Sequence, residues 1–472
     1  MEKKLVYDIQ DEPPVGKIIL FALQQLLAII AATILVPKLV GNGMSTAAAL
    51  LGAGVGTLIY QLFTKFRSPV FLGSSFAFIG SMVAAFAGAS TAKLGYLGIL
   101  LGAIFAGLMY VIIALVIKFV GVGWINKLMP PAVIGPTVAL IGLSLATNAV
   151  RNSLSADSIG AEWGVDLVSP FPVSVKLWLS FACAMVTFFV VILCSTYGKK
   201  MVKLIPFIIG ILAGYALALI FTAIGYISGD ARFIIVNFQP FKDLVANGVT
   251  LATFIKIPEF TFIEAIGGFK DFDLSYLATV AVAYIPVAFV VFAEHVADHK
   301  NLSSIIDKDL LKEPGLHRTL LGDGVGSIAG AFFGGCPNTT YGESVGCVAI
   351  TRNASVVTIT TTATISILIS FLSPFVALLD TIPACVIMGG VCIALYGFIA
   401  VSGLKMIQRV NLEDNANLFT VAVILITGIG GLAFNILDKI TITPVACALI
   451  LGIIVNVVLN IKKKKDDKGD KE

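Results

Sequence analysis

Four carboxylates and two imidazoles sit where a soluble protein would rarely put them, inside or beside long apolar runs. Glu294 lies in Phe289-Val290-Val291-Phe292-Ala293-Glu294-His295-Val296-Ala297-Asp298-His299, Asp323 stands between Gly322 and Gly324, and Glu343 follows Tyr341-Gly342. An ionised side chain at the centre of a membrane-spanning helix costs about 3 kcal/mol, so such residues persist where they are paired or functional. Glu294 and Asp298, four apart, share one helical face, and His295 and His299 occupy the adjacent one. The chain has only three histidines, and two are here. A carboxylate at such a place can accept an N–H in a charge-assisted hydrogen bond. Several carboxylates gathered in low dielectric can also relieve their repulsion by taking up a proton. Two readings stay open for Asp298 and His299, which belong either to such a site or to a helix end emerging into water beside Lys300. Asp323 reads most simply as a carboxylate near the start of its helix, favoured there by the helix dipole.

The elements that position these groups follow from composition. Of 472 residues, 58% are hydrophobic and 13% charged, against about 25% charged in a typical soluble domain. The apolar runs reach roughly 20 residues, the length a helix needs to cross the hydrocarbon core. The chain is therefore expected to be an all-α polytopic membrane protein. Its seven cysteines fall in or beside apolar segments without metal-ligand spacing and read as packing residues. No metal and no cofactor are expected. The net charge of +4 comes from loops and the Lys462–Lys465 run and points to orientation, not to nucleic acid. Met1–Pro14 is polar and acidic, unlike a signal peptide.

Apolar segments are read at 17–36, 44–63, 76–88, 95–117, 130–148, 171–195, 201–222, 274–297, 319–334, 343–351, 355–372, 375–404, 415–435 and 442–461, about fourteen crossings. The one at 375–404 is overlong and predicts a bend at Pro383 or Gly389-Gly390. With both termini cytoplasmic, the inner loops hold Lys65, Arg67, Lys118, Lys127, Lys199, Lys200 and Lys203. Lys300, Lys308, Lys312, Arg318, Arg352, Lys405 and Arg409 follow on the same side. The outer loops hold only Lys38, Lys93, Arg151 and Lys439. This asymmetry obeys the positive-inside rule. The expected organisation is a cytoplasmic tail at 1–16, a first repeat at 17–222, an extracytoplasmic connection at 223–273, a second repeat at 274–461, and a charged cytoplasmic tail at 462–472. Seven segments per half make the two repeats inverted. A faint echo links Pro130-Pro131-Ala132-Val133-Ile134 to Pro383-Ala384-Cys385-Val386-Ile387.

The third segment of each half is too short to span. Each follows a polar, glycine-containing stretch, Phe71–Phe78 and Gly334–Ser344. Irregular backbone at membrane depth is tolerated where it is buried in protein or lines a cavity. Two short β-strands are expected to meet there, each leading into a half-helix whose free N–H groups face a ligand. Matched interrupted segments in inverted halves point to a transporter's binding site.

At these residues a resemblance becomes specific. Ala293-Glu294-His295-Val296, Asp309–Gly324, Phe332–Glu343 and Ala349–Arg352, with Gly73–Phe78 and Ala32–Pro37, closely resemble uracil permeases of the nucleobase–ascorbate transporter family. The resemblance implies two inverted seven-segment repeats divided into core and gate domains, and a possible homodimer in the cytoplasmic (inner) membrane. It implies substrate contacts from Glu294, Glu343, Phe76, Tyr341, Gly342, Ala32 and Tyr396. The base is expected to be uracil, imported with protons, with Glu343 the expected proton carrier, Glu294 the substrate ligand and Asp298 a third coupling group. Three departures from the family pattern bear on this: Asp298 where uracil-specific members place histidine, Ser344 for asparagine, and Gln24-Gln25 for Gln-His. Xanthine or another base, whose imide edge is similar, stays open. An anion transporter is disfavoured because Glu343, not a basic group, stands at the second half-helix. Neither a metal cluster nor a nucleotide-binding glycine loop suggests an enzyme.

Overall fold

The computed structural model describes residues 5–121, 123–157, 174–199, 201–246, 248–436 and 440–469. Lys200, Lys439, the start of the expected sixth segment at 171–173 and the tail residues 470–472 lie outside the described residues. The first half contains α1 (Val15–Val40), α2 (Thr46–Phe63), β1 (Leu72–Ser74), α3 (Ile79–Ala87), α4 (Ala92–Val120), α5 (Pro131–Ser144), α6 (Val175–Tyr197) and α7 (Pro206–Ser228). The second contains α8 (Leu274–Ile306), α9 (Leu316–Gly334), β2 (Asn338–Thr340), α10 (Gly342–Thr351), α11 (Val356–Ser370), α12 (Cys392–Ile407) and α13 (Asn415–Ile429). It closes with the hairpin β3 (Phe434–Ile436) and β4 (Ile440–Ile442) and with α14 (Pro444–Gly469). Polar caps mark where apolar runs turn into helices: Ser45, Thr91, Ser174 and Asp273 each accept an N–H from the first turn of the helix that follows.

The second half repeats the packing of the first. Helix α4 lies against α9, and in exchange α11 lies against α2; α8 meets α4 as α1 meets α11. Away from this group, α7 pairs with α6 as α13 pairs with α14, and α5 crosses α12. Pro130 and Pro383 occupy matching places. The carbonyl of each accepts from the residues three and four ahead, Val133 and Ile134 in one case and Val386 and Ile387 in the other. Where α2 crosses α9 the backbones touch: a Cβ on Gly52 would lie 2.5 Å from the Gly330 carbonyl, and one on Gly334 2.6 Å from that of Ala48. Such close approach needs small residues, the usual currency of helix association in lipid.

At the centre, β1 and β2 pair antiparallel in the register Leu72↔Thr340, Gly73↔Thr339, Ser74↔Asn338, all six residues buried. The expected pair of short strands, each leading into a short helix, is present. Antiparallel pairing of corresponding strands is what inverted halves demand.

Several boundaries differ from expectation. Helix α8 runs 33 residues, about 50 Å at 1.5 Å per residue, and ends at Ile306, beyond the end near 297 that its apolar run suggests. Its later turns stay helical because His299, Leu302 and Ile306 are buried against the core. The overlong segment does break at Pro383: a separate helix covers Ser373–Thr381, and wider π-type turns over Cys385–Val391 lead into α12. The β3–β4 hairpin, which straddles the end of the segment read at 415–435 and the start of that read at 442–461, has no counterpart in the sequence reading. Residues 5–14, before α1, are packed against the rest of the fold. Val6 N–H donates to the Arg352 carbonyl, Ala354 N–H to that of Tyr7, and Val356 N–H to that of Ile9. Ile9 is 6% exposed in a cluster with Leu302, Ile306 and Val348, and Asp8 pairs with Lys308 at 2.6 Å.

Candidate functional site

A cavity of about 460 Å³ opens between the two packed groups of helices, within the roughly 300–1,000 Å³ range of small-molecule sites. One wall is a face of α8: Glu294, Ala297, Asp298 and Asn301 follow the i, i+3, i+4, i+7 spacing and all line it. The two strand-to-helix junctions supply the next wall, with Ser75 and Phe76 from the first and Thr339, Tyr341, Gly342 and Glu343 from the second. The far wall belongs to α7 and α12, through Phe207, Leu395, Phe398 and Ile399. The cavity extends toward the end of the bundle where Lys203, Ile350, Ser402 and Met406 stand. At the opposite end the groups are closed on each other. There Lys38 donates to the Leu379 carbonyl at 2.8 Å and lies 3.6 Å from Asp380, and Thr46 donates to Asp380 at 3.0 Å.

Each anticipated residue has a definite place. Glu294 is half-buried and, among the described residues, has no hydrogen-bond partner, so both its oxygens are open to a ligand. Asp298 accepts from the Thr340 hydroxyl at 2.9 Å, which ties α8 to β2 while leaving one oxygen toward Gly342. The alternative of a solvated helix end therefore does not hold for Asp298 or His299. Glu343 is the second residue of α10, in the first turn, where N–H groups have no intrahelical acceptor. Tyr341 is the residue before α10; its hydroxyl donates to the Ser74 carbonyl at 2.9 Å, fastening the half-helix start to β1. Phe76 begins the turn that leads into α3, and its ring meets that of Tyr396 edge to face at 6.2 Å between centroids. Ala32 and Tyr396 are 3% and 2% exposed and lie behind the cavity's lining residues, Ala32 packed in a cluster with Tyr341 and Phe71.

Residues 16–437 match a family model described as a permease family, that of the xanthine and uracil permeases. The chain belongs to this family, the nucleobase–ascorbate transporters. It is similar to the uracil permease of Bacillus subtilis (strain 168), 39% identical with 99% of this chain and 98% of that one covered. It is also similar to the uracil permease of Escherichia coli (strain K12), 34% identical with 96% and 94% covered. In fold it is similar to the transmembrane domain of the cyanobacterial bicarbonate transporter BicA, with a TM-score of 0.58, 15% identity, and 92% of this chain and 96% of that chain covered. The murine anion transporter Solute Carrier 26 family member A9, inward-facing, gives a TM-score of 0.61 at 12% identity, covering 96% and 69%. This nucleobase–ascorbate family member is a multi-pass membrane transporter and not an enzyme.

Asp323 requires a correction. It is not at the start of its helix but in the middle of α9, fully buried, with Oδ2 2.7 Å from His295 Nδ1. His295 Nε2 in turn lies 3.0 Å from the Thr319 hydroxyl. His299 donates from Nδ1 to the His295 carbonyl, because a carbonyl can only accept, so its Nε2 is free to accept from the Tyr60 hydroxyl at 2.7 Å. The two rings stack at 4.1 Å. Thus the α8 histidines face away from the cavity and brace the helix that presents Glu294 and Asp298. Thr339 links the layers, lining the cavity while its hydroxyl reaches Asp323 at 3.5 Å. Sequence spacing gives no hint of this pairing, because His295 and Asp323 are 28 residues apart on different helices.

Ser75 and Lys203 also line the cavity, although the sequence reading does not single them out as site residues. The Ser75 hydroxyl is buried and has no partner among the described residues. Its place in the junction read as Gly73–Phe78 is the available signal. Lys203 is exposed and lines the cavity at its mouth.

Proposed function

We propose that this chain imports uracil across the cytoplasmic membrane by proton symport, by rocking of the two helix groups around the cavity. Three features converge on one enclosed space: the unpartnered Glu294, the first turn of α10, and the Phe76 ring. That convergence is the observation that carries the reading. The uracil permeases to which the chain is similar over nearly its whole length name the base. Uracil offers an N–H between two carbonyls. Glu294 accepts the N–H, the N–H groups at Gly342 and Phe76 serve the carbonyl oxygens, and Phe76 lies against the flat ring.

With the lysine-rich loops in the cytoplasm, the mouth at Lys203 and Met406 is the cytoplasmic one, and the arrangement is inward-facing. The closed end at Lys38 and Asp380 is then the outer one. Glu343, Glu294 and Asp298 share the cavity, with Lys203 at its mouth the one cation among the described lining residues. Loss of a proton from this group as uracil leaves couples the two movements. Glu343, at the junction and without a side-chain partner among the described residues, is assigned the transported proton. The test is uptake by Glu343→Gln proteoliposomes. The variant is expected to exchange uracil across the membrane but not to concentrate it under an inward proton gradient. Full concentrative uptake by the variant would overturn the assignment.

A further inference from the structure

Two buried polar side chains from opposite halves of the chain touch each other. Gln25, on α1, donates from Nε2 to the Ser344 hydroxyl on α10 at 2.5 Å, across 319 residues of sequence. Both are buried, at 3% and 0% exposure, and neither lines the cavity. Ser344 Oγ also accepts the Phe71 N–H at 3.0 Å, and the Phe71 carbonyl accepts the Tyr341 N–H at 3.2 Å. The peptide of Phe71 thereby adds a rung beyond Leu72↔Thr340 and joins the β ladder to the first turn of α10.

We propose that Gln25 and Ser344 are a positioning pair that sets how far the first turn of α10 projects into the cavity, and so how the base fits. The hydroxyl of Ser344 spends its two acceptor sites, one on α1 and one on the approach to β1. These bonds hold the turn from behind while Gly342 and Glu343, its neighbours, face the cavity. Ala28, one helical turn after Gln25, lines the same cavity from α1, so the pair also fixes the distance between two of its walls. A short hydroxyl on α10 matched to a long amide on α1 spans a set gap. A longer side chain at 344 needs a shorter one at 25, so the two positions act as one unit. The pair works through its neighbours and touches no substrate. The inference deepens the reading of a base-binding site and rests on it for the choice of ligand.

The test is a double-mutant cycle on the full-length protein with Gln25→Ala, Ser344→Ala and the double variant, plus the length-swapped pair Gln25→Ser/Ser344→Asn. In the swap, the Asn oxygen still accepts from Phe71 and its amide donates to the new serine. Two readouts are used: affinity for a panel of uracil, thymine and xanthine, and the rate of thiol modification at Cys347, followed by peptide mass mapping. Cys347 is one turn beyond Glu343 and lines the cavity, so its reactivity reports the position of α10 without any substrate. Each single variant is expected to weaken binding about tenfold and to change Cys347 reactivity at least severalfold. The double variant should be no worse than the worse single, and the swap should recover most of both. Additive losses, or lowered thermal stability with unchanged affinity and unchanged Cys347 reactivity, would overturn the proposal. A wild-type protein that ignores uracil but binds xanthine counts against the uracil reading alone. If none of the three binds, the base-binding reading fails and the Cys347 cycle still decides the pair.

Discussion

A single methyl group at Gly73 tests the junction most sharply. Gly73 pairs with Thr339 in the strand ladder, and a Cβ built there lies 2.3 Å from two carbons of the Tyr341 ring and 2.7 Å from its hydroxyl. Ordinary contact begins near 3.4 Å, so Gly73→Ala requires the ring to retreat by about 1 Å. Tyr341 is 3% exposed and held by its bond to the Ser74 carbonyl, so it has little room to yield. Overpacking of a buried site costs typically 1–3 kcal/mol, and the displaced hydrogen bond adds about 1 kcal/mol. Tyr341 is also the residue from which α10 starts, so the strain passes to Gly342 and Glu343. If half of roughly 3 kcal/mol falls on the bound state, affinity drops about tenfold. Uracil binding by the purified variant, measured by calorimetry beside Tyr341→Phe, gives the comparison. Tyr341→Phe keeps the ring and loses the bond to Ser74 together with the longer one from the Thr33 hydroxyl at 3.5 Å, a change of about 1 kcal/mol. Wild-type affinity in Gly73→Ala would mean that the contact between β1 and Tyr341 does not govern the site, and the reasoning would fail.

Four further outcomes follow from the same geometry. Glu294→Gln exchanges a charge-assisted bond for a neutral one, a loss of about 1–2 kcal/mol, so uracil affinity should fall roughly tenfold while thermal stability holds; calorimetry and a melting curve separate the two. Asp323→Ala removes one member of a fully buried pair and leaves His295 unmatched, at about 3–5 kcal/mol, which a thermal unfolding scan in detergent should show as a marked loss. Ile9→Ala should cost about 2–4 kcal/mol by the same scan, because the side chain is buried under the ends of α8 and α10. Asp8→Asn, which breaks an ion pair exposed at 42% and 48%, should change stability by less than about 1 kcal/mol.

Much of the fold is legible in the chain because the bilayer leaves few options. Apolar runs have to be helices, and the two polar, glycine-bearing stretches at membrane depth have to be enclosed, which places β1, β2 and the half-helices correctly. The i, i+4 spacing by itself puts Glu294 and Asp298 on one wall. What the chain does not reveal depends on contacts between distant segments. Asp323 looks like a helix-start carboxylate when only its flanking glycines are seen, and becomes His295's partner only once α8 and α9 are packed. The polar run before α1 carries no periodic signal, yet its backbone groups find partners at Arg352–Val356 and its buried Ile9 side chain finds a cluster. Gln25 and Ser344 stand out in sequence only one at a time; that they are partners shows only in the bond between them. Likeness to anion transporters in fold alone does not transfer their chemistry, since the charge at α10 here is Glu343 and the lysine that lines the cavity, Lys203, stands at its mouth.

The central claim is tested most directly by uptake of labelled uracil into proteoliposomes under an imposed inward proton gradient, with unlabelled xanthine as competitor. Accumulation that collapses on adding a protonophore and that xanthine leaves unchanged is the predicted result. Absence of uracil accumulation, with labelled xanthine concentrated in its place, would contradict it and would make Asp298 the mark of a purine site.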